Sequence, residues 1–105
     1  MNIQNLYDMV NAVKGIIPLR EAYLFGSYAY GEPHQESDYD LYFVADSIKG
    51  SRYDIIAQIY GVIDDVREKP VDILLNTKEH FDGRKEISST LEYKIARDGI
   101  KLYGQ

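Results

Sequence analysis

Two carboxylates, Asp38 and Asp40, stand at the entrance to the apolar run Leu41-Tyr42-Phe43-Val44. Such a run reads as a core strand, and in a strand residues i and i+2 point to the same face. The two side chains then start about 7 Å apart along the backbone. At an effective dielectric near 20, like charges at that spacing repel by roughly 2 kcal/mol. A fold that keeps them there must bind a cation, hold a proton, or lean the pair out into water. Their face continues through Tyr42 and Val44, while Tyr39, Leu41 and Phe43 face the other way, so the apolar half of the strand anchors the acidic half.

Upstream, Leu19 to Phe25 follows Pro18 and closes on Gly26-Ser27, as a strand running into a tight turn does. Tyr28-Ala29-Tyr30 then suits a helical turn, whose first backbone N–H groups can meet an anion. Glu32 to Ser37 reads as a polar loop. Downstream, Val71-Asp72-Ile73-Leu74-Leu75 is a third strand, with Val71, Ile73 and Leu75 on one face and Asp72 and Leu74 on the other. A lone carboxylate in a segment otherwise built for burial needs a partner. If the second and third strands are neighbours, Asp72 joins Asp38 and Asp40 in a patch suited to a pair of Mg²⁺ ions about 3.5–4 Å apart. The competing reading has Asp38 capping a turn, Asp40 in solvent, and Asp72 paired with Arg20 or Arg67.

The other elements follow from helical spacing. Ile3, Leu6, Met9 or Val10, and Val13 predict a first helix over 2–14 that ends at Gly15. Ser51 is an N-cap candidate for a helix carrying Ile55, Ile59, Val62, Ile63 and Val66 and ending at Lys69-Pro70. A last helix, capped by Thr77 or Asp82, carries Ile87, Leu91, Ile95 and Ala96 to Gly99, and Ile100 to Tyr103 adds an edge strand. The order α-β-β-α-β-α-(β) gives an α/β (α+β) fold, with a mixed sheet of three to four strands flanked by helices. One domain is expected over 1–105, a length that buries about 65% of the surface of the unfolded chain.

Composition narrows the chemistry. Without cysteine, a metal must be held by oxygen or imidazole, and two histidines are too few for a zinc cluster. A net charge of −5 argues against tight, sequence-independent nucleic-acid binding, and an anionic substrate would need metal ions to mask the local charge. The N-terminal segment lacks the pattern of a signal peptide, and no apolar run approaches the ~20 residues that span a bilayer, so the cytoplasm is the expected location and no membrane partner is expected.

Gly26-Ser27, ten residues, then Asp38-x-Asp40, with an isolated Asp72 on a later strand, resembles the polymerase β nucleotidyltransferase superfamily. The closer pattern Gly-Ser-x-Ala-x-Gly with Ser-Asp-x-Asp-Leu looks like its minimal nucleotidyltransferase (MNT) group, and Gly26, Ser27, Ala29, Gly31, Ser37, Asp38, Asp40 and Leu41 match it. The tail Asp98 to Gly104 is similar to that group's ending as well. The resemblance implies that Gly26 and Ser27 hold the β- and γ-phosphates of a nucleoside triphosphate. It further implies that Asp38, Asp40 and Asp72 are the catalytic carboxylates and hold two Mg²⁺ ions, with Asp72 helping to activate the attacking hydroxyl. Minimal members commonly pair with a small helical HEPN protein in a toxin–antitoxin system. The implied reaction moves AMP from ATP to a tyrosine of that toxin, within a hetero-oligomer. Two alternatives share the pattern: an antitoxin that neutralises by binding alone, and transfer to a small molecule such as an aminoglycoside.

Other residues carry weaker signals. His34 lies between the two halves of the motif and could touch phosphate; His80 has less claim. Arg84, Lys85, Lys94 and Arg97 scatter over the last helix and could neutralise a substrate's charge, although such residues usually form a solvated helix face. Of ten tyrosines, Tyr28, Tyr30 and Tyr39 cluster around the motif, where they could stack on a base, contact a partner or accept a nucleotide, although packing at element margins explains any single one.

Overall fold

A computed structural model describes residues 1–34 and 37–104. Chain order is α1 (Ile3–Lys14), β1 (Leu19–Phe25), α2 (Ser27–Tyr30), β2 (Tyr39–Ala45), α3 (Arg52–Asp64), β3 (Val71–Thr77), α4 (Lys78–Lys85), α5 (Leu91–Asp98) and β4 (Ile100–Tyr103). The strands form one sheet in the order β3-β2-β1-β4. β1 runs antiparallel to β2 and β4, whereas β2 and β3 are parallel, the crossover between them being made by α3. This is the expected mixed α+β architecture, with the expected edge strand present as β4.

Side-chain alternation sorts the sheet into two faces. Tyr39, Leu41, Phe43, Val71, Ile73 and Leu75 join Leu6, Met9 and Val13 of α1 and Ile59 and Ile63 of α3 in the larger core. On the opposite face Tyr23, Tyr42 and Val44 pack against Phe81 of α4 and Ile95 of α5. Tyr23 stacks on Phe81 and Tyr42 meets the same ring edge-on, each with centroids 5.3 Å apart. The smaller layer covers the Tyr42–Val44 part of its face, while Asp72 and Leu74 on β3 stay exposed. The Asp72 end of this sheet face is thus left uncovered.

Two expectations need correction. The helix from Ser51 stops at Asp64 rather than Lys69. Val66 is exposed there because its carbonyl is taken by the Asn5 side-chain amide at 2.7 Å, and Asn5 also accepts the Glu68 N–H at 3.1 Å. The single last helix is two, divided at Ser88-Ser89-Thr90. Thr77 Oγ1 caps α4 by accepting the His80 N–H, and Thr90 Oγ1 caps α5 by accepting the Tyr93 N–H. Ile87 and Leu91 at this break are exposed, and Ile95 alone of the expected apolar stripe is buried.

The break also admits a buried carboxylate. Glu92 accepts hydrogen bonds from Tyr42 Oη at 2.8 Å and Arg84 Nε at 3.0 Å, joining α5 to β2 and α4. Burial pushes the Glu92 carboxyl up, but Arg84 and Tyr42 outweigh it and hold it below the ordinary value of 4.5. A depressed folded pKa means that this contribution to stability is complete above pH 4.5 and is lost as pH falls through the folded value. Glu92→Gln is expected to destabilise the fold by about 2 kcal/mol at pH 7, since charge-assisted hydrogen bonds are lost from a buried site. In thermal melts taken between neutral and acid pH, its midpoint should fall less steeply below pH 4.5 than the wild type's.

Candidate active site

β1 ends where Gly26 adopts φ 72°, the left-handed region that favours glycine. The chain turns there into α2, with the Ala29 and Tyr30 N–H groups both donating to the Gly26 carbonyl at 3.1 Å. The first amides of a helical turn have no acceptor within it, and Gly26 brings no capping side chain. A second demand on this glycine is steric: a Cβ placed on it would overlap Asp40 Oδ2. The Gly-Ser turn and the second aspartate, separated in sequence, are therefore in van der Waals contact.

Pairing between strands completes the arrangement. Asp40 is opposite Phe25 on β1 and directly opposite Asp72 on parallel β3. Neighbouring strands lie about 4.8 Å apart, so the two aspartates leave adjacent backbones on one face. Asp38 stands exposed two residues before Asp40, just outside β2. Partial burial raises the Asp40 carboxyl above its usual value, and the charges of Asp72 and Asp38 raise it further. A carboxylate raised by two others, none of the three in an ion pair among the described residues, is the situation a cation relieves. The competing ion pairs are absent, because Arg20 binds Asp46 at 2.6 Å and Arg67 binds Asp64 at 2.7 Å.

The donor set suits a hard divalent cation, being carboxylate oxygen alone. Among the described residues no three acidic or imidazole side chains converge into a ready-made metal cage. Mg²⁺ usually takes one or two carboxylates and fills its octahedron with water and substrate phosphate. Asp40 and Asp72, with Asp38 beside them, fit an ion that arrives with a triphosphate better than one held permanently.

One participant escaped the sequence reading, in which Lys69 served only to end a helix. Its Nζ donates to the Tyr28 hydroxyl and, at 3.3 Å, to the Ser37 carbonyl. It also lies 4.8 Å from the Tyr28 ring centroid and 5.2 Å from that of Tyr39, the two rings being 4.8 Å apart. The Tyr28 hydroxyl raises the Lys69 pKa, with a smaller contribution from Asp38. Lys69 and Tyr28 line a cleft of about 520 Å³ with Met1, Pro33 and His34. This places His34 beside the site; Gln35 and Glu36 of the expected loop lie outside the described residues. A larger cavity, about 720 Å³, opens near Arg20, Glu21 and Lys78 and includes none of the motif residues.

The remaining candidates have structural partners. Tyr39 is buried, its hydroxyl accepting the Asn2 N–H at 3.1 Å, and the exposed Tyr30 ring lies 4.8 Å from Lys94 Nζ. Lys94 and Arg97 both pair with Asp98, Lys85 with Asp82, and Arg84 with Glu92. His80 Nε2 is 3.9 Å from Glu92 Oε2.

The profile of the nucleotidyltransferase domain matches residues 6–97, nearly the whole chain. The chain belongs to the nucleotidyltransferase domain family. Comparison with curated proteins gives no match. Among solved structures, a putative nucleotidyltransferase from Sulfolobus solfataricus superposes with a TM-score of 0.62 at 23% identity, covering 98% of this chain and 80% of that one. A toxin–antitoxin structure with AMP-PNP gives 0.61 at 22% identity, covering 100% and 75%. The MNT antitoxin complexed with a tri-AMPylated HEPN toxin of Shewanella oneidensis gives 0.57 at 20% identity, covering 100% and 74%. At such identities the likeness establishes the polymerase β-like nucleotidyltransferase fold. No helix among the described residues of this nucleotidyltransferase is long and apolar enough to cross a membrane.

Gly26→Ala tests the contact between the turn and the carboxylate. It should destabilise the fold by about 1–2 kcal/mol in chemical denaturation, from the left-handed backbone and the displaced Asp40 side chain. Nucleotidyl transfer should fall at least about tenfold in the same protein, since a misplacement of roughly 1 Å can cost more than that.

Proposed function

We propose that this nucleotidyltransferase adenylylates a hydroxyl, most directly a tyrosine, of a helical HEPN-type toxin and so acts as the antitoxin of a pair. The single observation carrying the reading is the confrontation of Asp40 with Asp72 on adjacent parallel strands, against the Gly26-Ser27 turn. It brings the Gly26-Ser27 turn and two carboxylates together at one end of the sheet, which supports a site for phosphate and metal. The fold shared with toxin–antitoxin structures, one with AMP-PNP and one with a tri-AMPylated toxin, supports the choice of nucleotide and partner.

In this reading the triphosphate tail of ATP lies on the turn, with Gly26 allowing close backbone approach and the Ser27 hydroxyl donating to phosphate. Asp38 and Asp40, joined by Asp72, would hold Mg²⁺, two ions in the full arrangement, which would neutralise the triphosphate and the developing charge. The acceptor hydroxyl attacks the α-phosphorus, a new oxygen–phosphorus bond forms, and the bond to the leaving pyrophosphate breaks. Asp72, exposed on the edge strand, would accept the proton of that hydroxyl. The exposed side of β3 at Asp72 and Leu74 leaves the acceptor approach open. The protein's contribution is alignment and electrostatic complementarity.

Incubation with ATP, Mg²⁺ and the helical protein encoded beside it should add the mass of AMP to that partner, located on tyrosine by peptide mass spectrometry. Replacing Asp38 and Asp40 by Asn should reduce the transfer by a factor of about 10³ or more. Neutralisation of the partner that survived in this double variant would establish binding without catalysis. Asp40→Asn alone should also raise the thermal midpoint at pH 7. Asp40 has a raised folded pKa, so the native state loses stability as pH rises from 3.8 through the folded value and carries the full cost at pH 7, and Asn removes the charge. A gain of about 2–5 °C is expected for a domain of this size.

A further inference from the structure

Three segments must keep their register for the proposed site to exist: the turn after Gly26, the entry to β2 at Asp38, and the entry to β3 before Asp72. Lys69 touches all three. It sits on the third segment, three residues before Asp72, and its ammonium donates to Tyr28 on the first and to the Ser37 carbonyl on the second. The Tyr28 and Tyr39 rings flank it, so the cation is held by two π-faces as well as two oxygens. A backbone bond reinforces the same junction, the Tyr39 N–H donating to the Pro70 carbonyl at 3.2 Å. Lys69 is half-buried, unlike a solvated surface lysine, and its donors are directed at protein oxygens.

We infer that Lys69 is a positioning residue, a brace that holds the Ser27 turn, Asp38 and Asp72 in the spacing that the metal–triphosphate complex requires. The inference rests on the reading of the site given above. Its physical basis is that the metal-binding side chains sit on separate segments and repel one another, so a ligand-free site tends to open. Through its bonds to Tyr28 and to the Ser37 carbonyl, Lys69 ties these backbones together while the carboxylate oxygens stay available to a ligand. Residues that orient metal ligands in this way commonly affect affinity or activity by 10- to 100-fold without touching the metal.

The test uses the full chain with Mn²⁺ and AMP-PNP as probes, the bound metal being measured by electron paramagnetic resonance. Lys69→Met should weaken Mn²⁺·AMP-PNP binding by at least about tenfold, and Lys69→Arg should restore it to within about threefold of wild type. In the ligand-free protein, hydrogen exchange at the Tyr39 amide, which bonds to Pro70, should be faster in Lys69→Met and near normal in Lys69→Arg. With the partner protein as acceptor, the Met variant should show a raised KM for ATP with a smaller change in kcat. Wild-type-like binding by a folded Lys69→Met protein overturns the inference. So does a loss of affinity with unchanged Tyr39 exchange, which would make Lys69 a direct phosphate ligand. Failure of the wild type itself to bind Mn²⁺·AMP-PNP would overturn the underlying site reading, and is distinguished by that control.

Discussion

The molecule is arranged around a repulsion. Asp40 and Asp72 face each other on adjacent parallel strands, Asp38 adds a third charge, and burial keeps water from screening Asp40 fully. Among the described residues no basic side chain forms an ion pair with them, although Lys69 is close enough for Asp38 to raise its pKa. Everything else in the fold either tolerates that unfavourable arrangement or prepares it for a ligand. The two-layer core lets β2 anchor its acidic end through Leu41 and Phe43 on one side and Tyr42 and Val44 on the other. Gly26 gives up its side chain so that the Asp40 carboxylate can lie against the turn.

The packed part of this sheet face and the proposed site therefore lie side by side. Over Tyr42, the Tyr42–Glu92–Arg84 network and the Phe81 ring close the surface with satisfied hydrogen bonds and aromatic contacts. Two residues away along β2, the face is open and its charges are uncompensated. Such a division is expected where an enzyme must bind a highly charged substrate: polar groups that would be better neutralised in the free protein are retained because they become complementary in the complex. Membership of the nucleotidyltransferase domain family gives the arrangement its chemistry.

Most of the fold and the central part of the site could be read from the sequence, for identifiable reasons. β2 and β3 alternate cleanly, so the faces of Asp40, Tyr42 and Asp72 followed from period-2 geometry once those strands were paired. Gly26-Ser27 after an apolar run marked the turn. Periodicity failed where polar side chains, rather than apolar spacing, set the boundary. Asn5 draws Val66 and Glu68 into hydrogen bonds from sixty residues away, ending α3 early. Thr90 restarts a helix that Ile87 and Leu91 had made look continuous. Lys69 and Glu92 were invisible as singular residues because their roles come from long-range partners, Tyr28 and Ser37 for the first and Tyr42 for the second. A lysine beside a proline has no sequence mark that separates a brace from a helix terminator.

The central claim is that the Asp40 carboxyl, elevated by burial and by the charges of Asp72 and Asp38, is answered by a metal-bound triphosphate. Its most direct measurement is a carboxyl ¹³C NMR titration of Asp40, performed on the free protein and again with Mg²⁺ and AMP-PNP. In the free protein Asp40 should titrate above the ordinary aspartate value of 3.8, and with the ligands its titration should move below that value. An Asp40 titration unchanged by Mg²⁺ and AMP-PNP would contradict the account.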